Sequence, residues 1–136
     1  MEVLLLYPDH RVRLKSSYFV REPLPAYIIN GTKGTFFKSR ADVQETLLQG
    51  GSTPDNIGYG IEPEAEQGLL HTEKDGQVIR ERIPTENGNY FEYYNLLYKA
   101  LAEGAPLPVT AEDGLNIIKI IEAAYRSVQQ KQIATV

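Results

Sequence analysis

The sequence predicts an α+β fold, a predominantly antiparallel open β-sheet packed on one face by helices. Three observations carry this reading. Glycine-bounded turns join runs of β-formers early in the chain, those runs alternate apolar with polar residues, and two long stretches of helical periodicity are confined to the end. Strands first and helices last is the order of an antiparallel sheet with its helices gathered on one side.

The elements follow in order. Glu2 to Tyr7 reads as a strand with apolar residues on both faces, and Pro8-Asp9-His10 turns it into Arg11 to Phe19. In that second run Val12, Leu14, Ser16 and Tyr18 share one face and Arg11, Arg13, Lys15 and Ser17 the other, the pattern of a sheet with one wet side. After Pro23 and Pro25, Ala26 to Asn30 and Thr35 to Lys38 flank Gly31-Thr-Lys-Gly34 as a second hairpin. Asp42 to Gln49 sets Val43, Leu47 and Leu48 on one side and stops at Gly50-Gly51, a short helix ended by a left-handed glycine. Ser52 to Gln67 mixes Pro, Gly and Glu without periodicity and is expected to be a long surface loop. Gly68 to Glu73 and Gln77 to Ile83 flank Asp75-Gly76, a two-residue hairpin turn, with Val78, Arg80 and Arg82 alternating against Ile79, Glu81 and Ile83.

Tyr90, Tyr94, Leu97 and Leu101 recur at helical spacing and end at Gly104, followed by a Pro-rich connection, Ala105 to Pro108. Thr110 then supplies an N-cap hydroxyl, and Glu112 and Asp113 early carboxylates, before Leu115, Ile117, Ile118, Ile120, Ile121 and Ala124. So broad an apolar surface is expected to be largely buried, and the tyrosines of the first helix to pack on the sheet.

Composition bounds the function. The 136 residues suit one domain, 1–136, able to bury roughly two thirds of its unfolded surface. A hydrophobic share of 42% and a charged share of 24% are those of a folded globular chain, and no apolar run reaches the ~18 residues of a membrane span. The net charge of −4 lacks the basic footprint of a partner for nucleic acid or an anionic membrane. With no cysteine, disulfides, thiol nucleophiles and iron–sulfur clusters are excluded, and with two histidines a nitrogen-rich metal site is poorly supplied. Met1-Glu2 runs straight into a strand without a secretory leader, and a cytoplasmic location is expected.

No motif names a reaction. Gly58-Tyr-Gly60 has Pro63 where a dinucleotide fingerprint needs its third glycine, and it sits between no strand and helix. Gly31 to Gly34 reads as a turn rather than an anion nest. His10, in a turn, and His71, in mid-strand, have no orienting neighbour and are expected at the surface. Glu62, Glu64 and Glu66 lack the spacing of a calcium loop and are expected to be solvated. Arg11, Arg13 and Lys15 read as the wet side of a sheet. Tyr59, between two glycines, is the better placed of the tyrosines for exposure to a ligand, although Tyr90, Tyr93, Tyr94 and Tyr98 also offer hydroxyls.

Several segments in a fixed order nevertheless resemble one family. Arg11 to Ser17, Tyr27-Ile-Ile-Asn-Gly-Thr-Lys-Gly-Thr35, Gly88-Asn-Tyr-Phe-Glu-Tyr-Tyr94, Ala100 to Gly104, Pro108-Val-Thr-Ala-Glu-Asp-Gly-Leu115 and Ile121-Glu-Ala-Ala-Tyr-Arg-Ser127 are similar to the C-terminal domain of the glucose-fructose oxidoreductase, inositol dehydrogenase and MocA oxidoreductases. The loop after Asp42-Val-Gln-Glu45 resembles that of the branch containing scyllo-inositol and related sugar or polyol dehydrogenases. The resemblance implies a parent enzyme with an N-terminal Rossmann domain for NAD or NADP, hydride transfer to or from a sugar or polyol, and homo-oligomers formed through the sheet. The family's catalytic Glu-Lys-Pro and Asp-x-x-x-His patterns have no counterpart here. Glu73-Lys74 is followed by Asp75, and the residues four before His10 and His71 are Leu6 and Gln67. No catalytic, cofactor-binding or metal-binding residue is therefore assigned. The expectation is a partial substrate-side and dimerisation domain, inactive and without cofactor by itself, with Met1 an introduced or internal start. The other expectation is a standalone, non-catalytic ligand-binding or oligomerisation module.

Overall fold

The structure, a computed structural model, describes all 136 residues. It has the α+β fold that the sequence predicts, with every strand pair antiparallel. The chain divides into two compact units, one of Met1–Arg21 with Ala105–Val136 and the other of Glu22–Gly104. No helix is long and apolar enough to cross a membrane.

In the first unit β1 (Glu2–Leu6) pairs with β2 (Arg11–Lys15), Leu6 lying opposite Arg11 and Glu2 opposite Lys15. That register leaves no β1 residue across from Ser17 to Phe19, so β2 is shorter than its alternating sequence predicts. The Tyr7 N–H donates to the His10 carbonyl at 3.0 Å, and the two rings stack with centroids 4.3 Å apart, which closes the turn. Val3, Leu5 and Val12 are half-buried while Arg11, Arg13 and Lys15 are exposed, so the wet face is where the alternation puts it.

The long C-terminal helix of this unit spans Ala111–Gln130. Its start is a reciprocal capping box: the Thr110 hydroxyl oxygen accepts from the Asp113 N–H, and the Asp113 carboxylate accepts from the Thr110 N–H. Ile120, Ala123, Ala124 and Ser127 form its covered side. Leu115, Ile117, Ile118 and Ile121 are about half exposed, so the broad apolar surface expected to be buried is covered only along that narrow stripe.

The second unit holds a four-stranded sheet in chain order: β3 (Tyr27–Asn30), β4 (Gly34–Lys38), β5 (Gly68–Lys74) and β6 (Gln77–Ile83). Asp75 and Gly76 both have positive φ, 53° and 76°, the type I′ geometry that matches the twist of the strands they join. Opposed residues share a face. One face thus carries Tyr27, Ile29, Phe36, Leu70, Ile79 and Ile83, with the Phe36 ring lying where a Gly68 side chain would stand. The other carries Ile28, Phe37, Leu69, His71, Arg80 and Arg82.

Two helices complete this unit: α1 (Gln44–Gln49) and α2 (Tyr90–Glu103), making the C-terminal helix α3. Helix α1 ends as its glycines predict, with Gly51 at φ 83°, and α2 is capped by the Asn89 side chain and stopped by left-handed Gly104. Leu97 and Ala100 form the covered side of α2. Its tyrosines do not pack away as expected: Tyr94 and Tyr98 are 63% and 66% exposed.

Candidate functional site

The stretch from Ser52 to Gln67 is not the free surface loop its composition predicts, because it is anchored at two points. At the first, Tyr59 and Gly60 are buried, and the Gly60 carbonyl accepts from the Gly88 N–H at 3.0 Å. The contact needs glycine on both sides. Gly60 has φ 76° and a methyl there would overlap the Gly88 carbonyl, while one on Gly88 would collide with the Gln44 amide. Gln44 is 3% exposed. Its Oε1 accepts from the Tyr90 N–H at 2.8 Å, and Asp42 Oδ1 accepts from its backbone N–H at 3.0 Å and its side-chain Nε2 at 3.2 Å. One amide therefore satisfies an orphan donor at the start of α2 while it is itself held by Asp42, two residues before it.

Tyr59 reverses its sequence expectation, since the phenol is buried rather than offered to a ligand, and its hydroxyl has no hydrogen-bond partner. Flanking glycines suggest exposure only when nothing covers the loop. Here the Gly60–Gly88 approach draws the ring inward. Burial pushes its pKa above the usual phenol value, and Tyr90, Asp42 and Glu45 push in the same direction.

The second anchor is ionic. Lys38 and Glu62, each 12% exposed, form an ion pair, and Lys38 Nζ also donates to the Glu66 carbonyl at 3.1 Å. The Ser39 hydroxyl donates to the Glu66 carboxylate. The acidic loop expected to be solvated is thus tied to the end of β4 through two of its three glutamates, because Lys38 there would otherwise be a nearly buried, unpaired cation.

Beside this anchor a cleft of about 380 Å³ opens on the sheet face that bears Phe37 and Leu69. Those two residues, Ser39, Glu66 and Arg82 line it. Arg82 Nη1 donates to the Gln67 carbonyl at 2.6 Å, and no carboxylate pairs with it.

None of the remaining sequence candidates lines the cleft. His10 lies in its exposed turn, but it does have an orienting neighbour, since Asp9 Oδ1 sits 2.8 Å from Nδ1. His71 is exposed on β5, opposite Arg80. Of the cationic β2 residues Arg13 pairs with Glu2 at 3.2 Å. Gly58 and Gly60 do not fit a pyrophosphate: Gly60 is packed against Gly88 and the next element is a single 3₁₀ turn, Glu64–Glu66, rather than a helix whose terminus would face the phosphates. Gln44 and Arg82 were not singled out by sequence. For Gln44 the available signal was its place within Asp42-Val-Gln-Glu45, and for Arg82 its place among cations on one face of β6.

The family model for the oxidoreductase family, C-terminal alpha/beta domain, matches residues 1–136. Scyllo-inositol 2-dehydrogenase (NADP(+)) IolW of Bacillus subtilis is 40% identical over 108 residues, covering 79% of this chain and 30% of that protein. The uncharacterized oxidoreductase YhhX of Escherichia coli is 32% identical over 125 residues, 91% of this chain and 36% of that one. Among solved structures, YvaA of Bacillus subtilis superposes with a TM-score of 0.93 at 35% identity over 99% of this chain and 40% of its own, and an oxidoreductase from Bacillus cereus with a TM-score of 0.83 at 30% identity over 92% and 37%. The chain therefore spans well under half the length of these relatives.

Proposed function

Since the chain belongs to the C-terminal α/β domain family of the glucose-fructose oxidoreductase, inositol dehydrogenase and MocA oxidoreductases, we propose that it serves as the substrate-side and assembly part of an NAD- or NADP-dependent dehydrogenase acting on a sugar or polyol such as an inositol. The observation that carries this reading is the match along the whole chain together with the 40% identity to a scyllo-inositol dehydrogenase. The polyol class rests on that relative, and the resemblance of the loop after Asp42-Val-Gln-Glu45 is in keeping with it. The nicotinamide binds outside these residues, because hydride transfer needs a cofactor held and oriented against the substrate and the Gly58–Gly60 loop is packed against its own neighbour. The cysteine-free composition suits a reducing cytoplasm.

Assembly is proposed through the sheet. Its more apolar face leaves Tyr27 and Ile29 more than half exposed, beside Phe36, Leu70, Ile79 and Ile83, and such a surface favours a second copy.

Calorimetric titration of the 136-residue chain with NAD, NADP and inositols tests the reading. No heat with either nucleotide is expected, and tight nucleotide binding overturns it. A marked thermal shift with neutral inositols alone, in the absence of any nucleotide domain, would instead favour a self-sufficient binding module. Sedimentation is expected to show self-association that rises with concentration, and a clean monomer at high concentration would remove the assembly role.

A further inference from the structure

The sheet face that bears the cleft is organised in two rows. Across the strands Ile28 lies opposite Phe37, Phe37 opposite Leu69 and Leu69 opposite Arg82, an apolar row ended by a cation. Beside it Asn30, Thr35, His71 and Arg80 form a polar row, in which the Thr35 hydroxyl donates to Asn30 Oδ1 at 3.1 Å. Both rows therefore end on β6 in a guanidinium, and the two lie two residues apart on one face.

Neither guanidinium has an acidic partner: the ion pairs of the chain are Asp9–His10, Glu2–Arg13 and Lys38–Glu62. Arg82 uses one N–H on the Gln67 carbonyl and keeps the rest of its donor fork. Lys38 at the same cleft is already neutralised by Glu62. The Glu66 carboxylate takes the Ser39 hydroxyl and keeps further acceptor capacity. Glu73, the other acid on this face, stands opposite Val78, beyond the polar row.

We propose that this cleft binds a polyol carrying an oxyanion, either a sugar acid or a sugar phosphate. Arg82 takes the oxyanion in its fork, a geometry that suits both carboxylate and phosphate, and Arg80 adds charge from the same face. Phe37 and Leu69 meet the C–H face of the carbon chain, and Glu66 accepts from its hydroxyls. A volume of about 380 Å³ falls within the range of small-molecule sites. The hydroxylated chain of the ligand rests on the polyol reading above, whereas the oxyanion rests on the two unpaired arginines alone.

The test is titration of the 136-residue chain with gluconate, glucose 6-phosphate, myo-inositol and inorganic phosphate, followed by calorimetry and by amide chemical shifts. Gluconate or glucose 6-phosphate is expected to bind with a Kd of about 1 mM or below, with shifts centred on Phe37, Leu69 and Arg82. The two oxyanions tell a carboxylate site from a phosphate site. Arg82→Lys keeps the charge and removes the fork, and is expected to weaken binding about tenfold, with Arg80→Ala weakening it less and both variants keeping the parent far-UV spectrum. Binding of myo-inositol as strong as that of the anions overturns the proposal, because recognition then rests on hydroxyls rather than on charge. Inorganic phosphate binding as tightly as the sugar anions, an unchanged affinity in Arg82→Lys, or no binding of either sugar anion each overturns it as well.

Discussion

Replacing Gln44 by leucine should release the start of α2 from the start of α1. The side chain is 3% exposed and fills its space against Gly88, so leucine keeps most of the volume and removes only the polar atoms. The Tyr90 N–H then loses the acceptor that sat 2.8 Å away, and Asp42 loses a donor at 3.2 Å. A part-buried amide left without a partner costs about 1–3 kcal/mol and the weaker Asp42 contact about 1 kcal/mol, so the expected loss is about 2–4 kcal/mol. With a urea slope of roughly 1–2 kcal/mol per molar, the midpoint falls by about 1–4 M. The measurement is urea unfolding by far-UV circular dichroism together with hydrogen exchange at the Tyr90 amide, which reports the local contact directly.

Gln44→Glu separates hydrogen bonding from packing. It keeps the acceptor for Tyr90 but brings a second carboxylate against Asp42. The introduced group has its folded pKa raised above the unfolded value of about 4.3, so the variant is as stable as the parent below that pH and loses stability as pH rises toward the folded pKa. A leucine variant within about 0.5 kcal/mol of the parent, or a glutamate variant whose deficit does not depend on pH, would refute the role assigned to this amide.

Two further outcomes follow. Tyr59→Phe removes a buried hydroxyl that has no partner, so it should raise the urea midpoint by roughly half a molar; a lowered midpoint would mean that the hydroxyl is satisfied in solution. Asp113 has its pKa lowered by the Thr110 hydroxyl first and the Thr110 backbone N–H second. A depressed carboxylate supplies stability above its unfolded pKa of about 3.9 and loses it as pH falls through the folded value. The exchange protection of the first turn of α3 should therefore fall with acidification below about pH 4, and Asp113→Asn should flatten that dependence; an unchanged profile would refute the reciprocal cap as its source.

The hairpins and both long helices were legible because each is written in a few adjacent residues. Asp75-Gly76 specifies a turn with two positive φ angles, and Thr110 with Asp113 three residues on specifies a cap. Ser52 to Gln67 was misread for the opposite reason. Its order comes from partners at Lys38, Ser39 and Gly88, and loop composition carries no trace of a partner more than twenty residues away. Sequence reading likewise placed Arg80 and Arg82 on one face of β6, but only the register across four strands shows the second face of the sheet ending in both of them.

The same distinction explains the exposed helix faces. Periodicity measures how much apolar surface an element presents, and the stripe of α3 from Leu115 to Ile121 is as apolar as a buried one. Whether such a stripe is covered depends on surface supplied from elsewhere. On α3 the cover reaches only Ile120, Ala123, Ala124 and Ser127. The inference from amphipathicity to burial thus needs the covering surface as a second premise, and in a chain covering 30% of a curated relative that premise is not given by the sequence. The half-exposed isoleucines of α3 and the exposed tyrosines of α2 are then one result, a domain whose apolar faces exceed what its own residues cover.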